Sequence, residues 1–288
     1  MSRSSPVTCF LLFAWIFLFL HPSSFAQPVV SAKAVEKNMV RVKDSLYASC
    51  YEVSNAEYKV FLKEMLMKDS SLYWSYRSDS AQWWVVLQPC GGEMPLWYHL
   101  HPGFNNHPVV AISYEGAAEY CKWLTETYNK DPKRKFRNAI FVLPSKEEWT
   151  LAAEGNWAGV KYPWGNQLSM MDKKGQYRCN MKYISETMIT SDSLGQPVFR
   201  GSWATDYFST SMIQGGAFYT AEVNAYEPNG LGIYNVCGNV AEMVNTKTYA
   251  MGGSWNSYGG EVTTTSMKQY GDPSPEVGFR VFMKIIEQ

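Results

Sequence analysis

The sequence predicts a single α+β domain with little regular secondary structure, and three observations carry that expectation. Two Ser-x-x-Glu boxes, at Ser54/Glu57 and Ser145/Glu148, open stretches with helical periodicity. The strand-like segments are short and are broken by glycine, proline or asparagine. The stretches that join them are long and aromatic-rich, which is unusual for simple connections.

The chain has 288 residues, of which 46% are hydrophobic and 15% aromatic, enough for one sizeable core. Formal net charge is zero and no long basic run is present, so nucleic-acid binding has little electrostatic support. Residues 1–26 are expected to be a signal peptide. Arg3 gives a positive start, residues 9–20 form an apolar run too short to span a bilayer comfortably, and Ser24-Phe25-Ala26 places small residues for cleavage before Gln27. No cysteine occupies the new first position, so the leader does not read as that of a lipoprotein. Residues 27–288 are expected to be an exported domain, periplasmic or secreted, with no transmembrane segment after cleavage. Five cysteines follow the leader: Cys50, Cys90, Cys121, Cys179 and Cys237. Their spacing holds no Cys-x-x-Cys pattern, and an odd number leaves at least one thiol unpaired. Cys121 and Cys237 lie in apolar surroundings and read as small core residues.

Taken in order, Met39-Val40-Arg41-Val42 is a short first strand. Ser54 and Glu57 then cap a helix whose apolar positions are Tyr58, Phe61, Leu62, Met65 and Leu66. Residues 70–106 read as an irregular, aromatic-rich loop with Trp74, Trp83, Trp84 and Trp97. Clustered aromatics suit peptide or glycan contacts, or simply packing, and packing is the expectation. His99, His101 and His107 offer imidazoles for a metal but have no carboxylate at ligand spacing, so they read as loop histidines. His107-Pro108-Val109-Val110-Ala111-Ile112-Ser113-Tyr114 reads as a strand running into a helix. The apolar face of that helix is Ala117, Tyr120, Cys121, Leu124 and Tyr128. Residues 131–137 form a charged turn. Phe141-Val142-Leu143 is a strand stopped by Pro144, and Ser145 and Glu148 cap a short helix through Ala153. Residues 190–219 are rich in Gly, Ser and Thr and read as an exposed loop.

The chain is organised around residues 229–280. Asn229-Gly230 is a turn signal. Within eight residues the sequence then offers an amide oxygen at Asn235, backbone oxygens at Gly238 and Val240, and a carboxylate at Glu242. An all-oxygen set suits a hard cation such as calcium. The alternative is a turn whose asparagines bond their own backbone.

The motifs Asn229-Gly-x-Gly-Ile-Tyr-Asn-Val-x-Gly-Asn-Val-x-Glu242, Gly252-Gly-Ser-Trp255 and Gly278-Phe-Arg280 resemble the C-terminal core of the formylglycine-generating enzyme (sulfatase-modifying factor) family. So do Glu52-Val-Ser-Asn55, the segment around His107-Pro-Val, Leu143-Pro144 and Tyr162-Pro-Trp-Gly165, with Gly116 where that family has an acidic residue. The resemblance implies a modified C-type-lectin-like fold with bound calcium. It implies calcium ligands at Asn235, Gly238, Val240 and Glu242, and a further calcium site starting at Asn180 and Met181, with Asp192 or Asp206 downstream. It also implies that copper is not held here. The family's copper-binding cysteines correspond to Ser257 and Val262, and neither supplies the thiolate that a soft Cu(I) ion requires.

The resemblance therefore leads to an exported, non-catalytic domain that binds or builds something in the bacterial cell envelope. Its expected partner is an envelope or secretion-machinery protein of the gliding and type IX secretion kind, or a peptide or glycan. The alternative is an enzyme on the same frame: a formylglycine-type oxidase with thiols taken from elsewhere, or a metal-dependent oxidoreductase. Ser254, Ser257 and Arg280 are the groove candidates for that reading, and serine chemistry would need a base that no motif places.

Overall fold

A computed structural model gives the architecture. It describes residues 30–87, 94–166, 169, 171–182, 189–191, 193–194, 197–199, 217, 219–271 and 273–287. The leader, Cys90, Asp192 and Asp206 lie outside the described residues, as does most of the stretch 190–219.

In chain order the elements are α1 (Ala32–Lys37), the hairpin β1 (Met39–Lys43) and β2 (Leu46–Ser49), and α2 (Asn55–Lys68). Then come α3 (Ser70–Tyr76), α4 (Gln82–Leu87), α5 (Met94–Leu100) and a 3₁₀ turn (Pro102–Phe104). The middle of the chain holds α6 (Tyr114–Lys130), β3 (Asn138–Val142), α7 (Lys146–Glu154), β4 (Ile189–Ser191) and β5 (Pro197–Phe199). The end holds β6 (Ala241–Met243), β7 (Tyr249–Met251), β8 (Met267–Gln269), β9 (Val277–Gly278) and β10 (Phe282–Glu287). Helix and sheet thus mix in one α+β domain. One antiparallel sheet has the order β1-β2-β10-β3, a second has the order β8-β7-β6-β9 with β6 and β9 parallel, and β4 pairs with β5.

Both capping boxes form. Ser54 Oγ accepts from the Glu57 amide while Glu57 Oε2 accepts from the Ser54 amide at 2.8 Å, and Ser145 and Glu148 repeat the arrangement. Tyr58, Phe61 and Met65 on α2 face Tyr120, Cys121 and Leu124 on α6 in the main core, but Leu66, at the edge of the α2 stripe, is 49% exposed. Gly116 is required where the helices meet. A Cβ there would stand 2.6 Å from the Tyr58 hydroxyl, which donates to the Tyr76 carbonyl.

Two expectations change. The stretch before α6 is not a strand. Val109, Val110, Ala111 and Ile112 are buried, but Ala111 turns into left-handed backbone (φ 54°), and the amides bond singly to different segments: Val109 N–H to the Val53 carbonyl, and Ala111 N–H to the Ser274 carbonyl. Among the described residues this stretch has no continuous partner and so no ladder, only a bridge between Ser54 and Pro108. Residues 70–106 are not an irregular loop either, since the described part is three short helices and a 3₁₀ turn. The aromatics there divide. Trp83 and Tyr98 are fully buried with ring centroids 4.7 Å apart, whereas Trp74, Trp84 and Trp97 are exposed. Among the described residues no helix is long and apolar enough to cross a membrane.

Candidate functional site

The site suggested by the sequence is the loop between Asn229 and β6. Asn229 fixes its start. Its Nδ2 donates to the Ala152 and Ala153 carbonyls at the end of α7, and its Oδ1 accepts from the Leu231 and Ile233 amides. The loop then turns through left-handed backbone at Asn235 (φ 50°), Gly238 (φ 79°) and Asn239 (φ 60°). Asparagine tolerates that region by bonding locally, and glycine has no Cβ to obstruct it. At Gly238 space adds a second constraint, because a Cβ would lie 2.4 Å from the Asn180 carbonyl oxygen.

Beneath this loop lies a buried polar network. Glu242 accepts from Arg280 Nη2 at 2.6 Å and Nε at 3.0 Å through Oε1, and from Trp149 Nε1 at 2.7 Å through Oε2. Arg280 also donates from Nη1 to the Ser49 carbonyl and from Nη2 to the Tyr234 carbonyl. One guanidinium therefore ties the end of β2, the loop and β6 together. Burial works against its charge, but Glu242 and Glu52 raise its pKa above the ordinary value.

Glu52 is the member that sequence reasoning missed. It is 1% exposed and accepts from Asn239 Nδ2 at 2.8 Å and Asn235 Nδ2 at 3.2 Å. Burial pushes its carboxyl up to about 8, opposed by Arg280 and assisted by Glu242. Its signal in the sequence was its place at the head of the Glu52-Val-Ser-Asn55 motif, a carboxylate just ahead of a helix cap.

This geometry tests the calcium expectation. Asn235 Oδ1 is buried without a hydrogen-bond partner, which suits a cation ligand. Glu242 does not fit, because N–H donors engage both its oxygens and a guanidinium already neutralises it. Calcium takes six to eight oxygens, roughly, usually with carboxylates among them. As arranged, the donor set of Asn235, Gly238, Val240 and Glu242 does not fit that ion. At the further site, Asn180 Nδ2 donates to the Tyr219 carbonyl and Met181 packs with Cys179 and Val262, while the candidate aspartates lie outside the described residues. Among the described residues no three His, Cys, Asp or Glu side chains converge as metal ligands, and the histidines are spent separately. His101 Nδ1 accepts from the Gly103 amide, His107 Nδ1 bonds to Thr220, and burial lowers the His99 pKa to about 3.

The groove candidates are closed. Ser254 is fully buried, Ser257 and Arg280 nearly so, and Val262 is fully buried beside Cys179 and Met181. A carboxylate absent from the sequence motif does reach Ser254: Glu276 Oε2 accepts from Ser254 Oγ at 3.2 Å. Although burial disfavours its charge, hydrogen bonds from Lys268, Asn256 and Ser254 hold Glu276 below the ordinary range, and it is ion-paired to Lys268. It is therefore a weak base next to a hydroxyl with no open approach. Burial also raises the pKa of Cys121, Cys179 and Cys237, so none is a ready thiolate.

Residues 26–285 match the model of the sulfatase-modifying factor enzyme 1-like domain. The chain belongs to that family. It is 29% identical over 214 residues to the formylglycine-generating enzyme of Thermomonospora curvata, a match covering 67% of this chain and 56% of the relative. It is 23% identical over 269 residues to the inactive C-alpha-formylglycine-generating enzyme 2 of Bos taurus, covering 80% of this chain and 74% of the relative. The solved structure of CarF aligns with a TM-score of 0.49 at 17% identity, over 83% of this chain and 86% of that one. The chain spans about half the length of the formylglycine-generating enzymes it matches, 56% and 48% for those of Thermomonospora curvata and Mus musculus.

Proposed function

We propose that this member of the family is an exported, non-catalytic domain that serves as a binding or structural component of the bacterial cell envelope. One observation carries the reading. At the positions corresponding to the copper-binding thiols of the resembled enzymes, this chain has Ser257 and Val262, both buried. A hydroxyl and an isopropyl group cannot hold Cu(I) as two thiolates do. The buried thiols elsewhere are protonated, and small displacements from a working geometry already cost catalysis heavily. The existence of relatives named inactive is consistent with a frame kept for another use.

Two experiments test it. The mature protein is incubated with Cu(I), oxygen and a cysteine-containing sulfatase-type peptide, and aldehyde is sought by hydrazide tagging and mass spectrometry. No aldehyde is expected, and its appearance would replace this reading with the oxidase one. Cross-linking in the native envelope is then expected to recover the same envelope or secretion-machinery proteins in stoichiometric amounts. Recovery of the protein alone would count against a structural role.

A further inference from the structure

We propose that the cleft beside the end of α7 binds a neutral oligosaccharide. The cleft, about 990 Å³, is walled by the end of α7 with the turn after it, residues 172–178, and residues 225–234. That size falls within the span of roughly 300–1,000 Å³ usual for small-molecule sites. None of its lining residues belongs to the Ser254–Ser257 motif or to the Arg280–Glu242 pair, so the proposal stands whether or not the envelope role does.

The walls are held in place by their own bonds. Asn156 Nδ2 donates to the Gly230 carbonyl at 2.9 Å, linking the turn after α7 to the facing loop. Gly230 admits that approach, because a Cβ there would stand 2.9 Å from Asn156 Nδ2. On the third wall Asp172 Oδ1 accepts from the Lys174 and Gln176 amides at 2.8 Å, so this carboxylate shapes its turn.

The lining has the chemistry of a sugar site. Trp157 presents a 58% exposed indole, and Trp164 lies stacked on Tyr162 with ring centroids 5.2 Å apart and planes 10° apart. The exposed Trp157 face covers the apolar C–H face of a pyranose with little loss of side-chain freedom, while Trp164, packed between Tyr162 and Arg178, stiffens the wall beside it. Around them Glu154 and Glu227 supply acceptors, and Gln176 and Arg178 supply donors. A sugar hydroxyl both donates and accepts, and this mixture matches it. Two other ligand classes match poorly. An anion would meet Glu154, Glu227 and Asp172, and a cation over Trp164 would meet the Arg178 guanidinium, already 5.9 Å from that ring's centroid.

The test uses the mature full chain on an array of neutral and acidic glycans, followed by calorimetric titration of the strongest binder. Saturable binding of a neutral glycan is expected, with a change in tryptophan fluorescence. Trp157→Ala is expected to weaken it at least about tenfold, and Glu227→Gln several-fold, both with an unchanged melting temperature because these side chains are exposed. Choline and citrate, as cationic and anionic probes, are expected not to compete. Absence of any neutral-glycan binding, competition by choline or citrate, or full affinity in both variants would overturn the proposal.

Discussion

Arg280 and Glu242 meet at 2.6 Å with each side chain only 1% exposed. Removing one partner of such a pair leaves the other charged and buried, which costs about 3–5 kcal/mol. Glu242→Gln and Arg280→Met are each expected to lower stability by that amount in urea unfolding. Joint replacement of both by apolar residues is expected to cost less than the sum of the single changes. Single losses under about 1 kcal/mol would show that the pair contributes little to the folded state.

Glu52 sets a pH dependence. Its pKa is raised in the folded state from an ordinary value of 4.5 to about 8, so the folded chain holds a proton that the unfolded chain releases. The resulting stability is fully present below the unfolded value and is lost as pH rises through the folded one. The midpoint of denaturation is therefore expected to fall between pH 5 and pH 8 in the wild type, roughly the window between those values. Glu52→Gln is expected to flatten that slope, and an equal slope in both proteins would assign the effect to other groups.

Gly238→Ala is expected to destabilise the fold by about 3 kcal/mol or more, combining left-handed backbone with overpacking. The overlap is with the Asn180 carbonyl, which already accepts from the Asn239 amide at 2.8 Å, so the obstacle is backbone and yields little. A fully stable Gly238→Ala protein would show that the loop relocates freely.

Cys121, Cys179 and Cys237 are expected to resist alkylation at pH 8 until the chain unfolds, since burial keeps all three protonated. Mass spectrometry after timed iodoacetamide treatment checks this site by site. Rapid native-state labelling at any of the three would mean that the core opens locally there.

Calcium is expected to have little effect. With Glu242 engaged by Arg280 and Trp149, excess chelator should leave the melting temperature unchanged. A drop of several degrees, reversed by added calcium, would restore the ligand set suggested by the family resemblance.

Much of the frame was legible because it rests on local chemistry. Ser54/Glu57 and Ser145/Glu148 announced two helix starts, and the α6 face from Ala117 to Tyr128 followed its period. Asn229-Gly230 marked the turn that hangs the loop on α7. What stayed hidden was non-local. Nothing near Glu242 reveals that Arg280, 38 residues later, would take its carboxylate, or that Trp149, 93 residues earlier, would complete the shell. Glu52 is separated from Asn239 by 187 residues and from Asn235 by 183, so no local pattern points to its partners. Val109 to Ile112 carried a strand's composition, but a ladder needs a partner, and the partner is set by the whole fold.

The sheet order β1-β2-β10-β3 places the last strand of the chain between two of the earliest, with Ala48 opposite Phe282 and Phe282 opposite Val142. The β2 edge of the first hairpin is therefore open until β10 pairs with it. Closing that sheet requires pairing β10 with strands more than a hundred residues away on either side, so the sheet forms by long-range contacts, which slows folding, and it depends on β10.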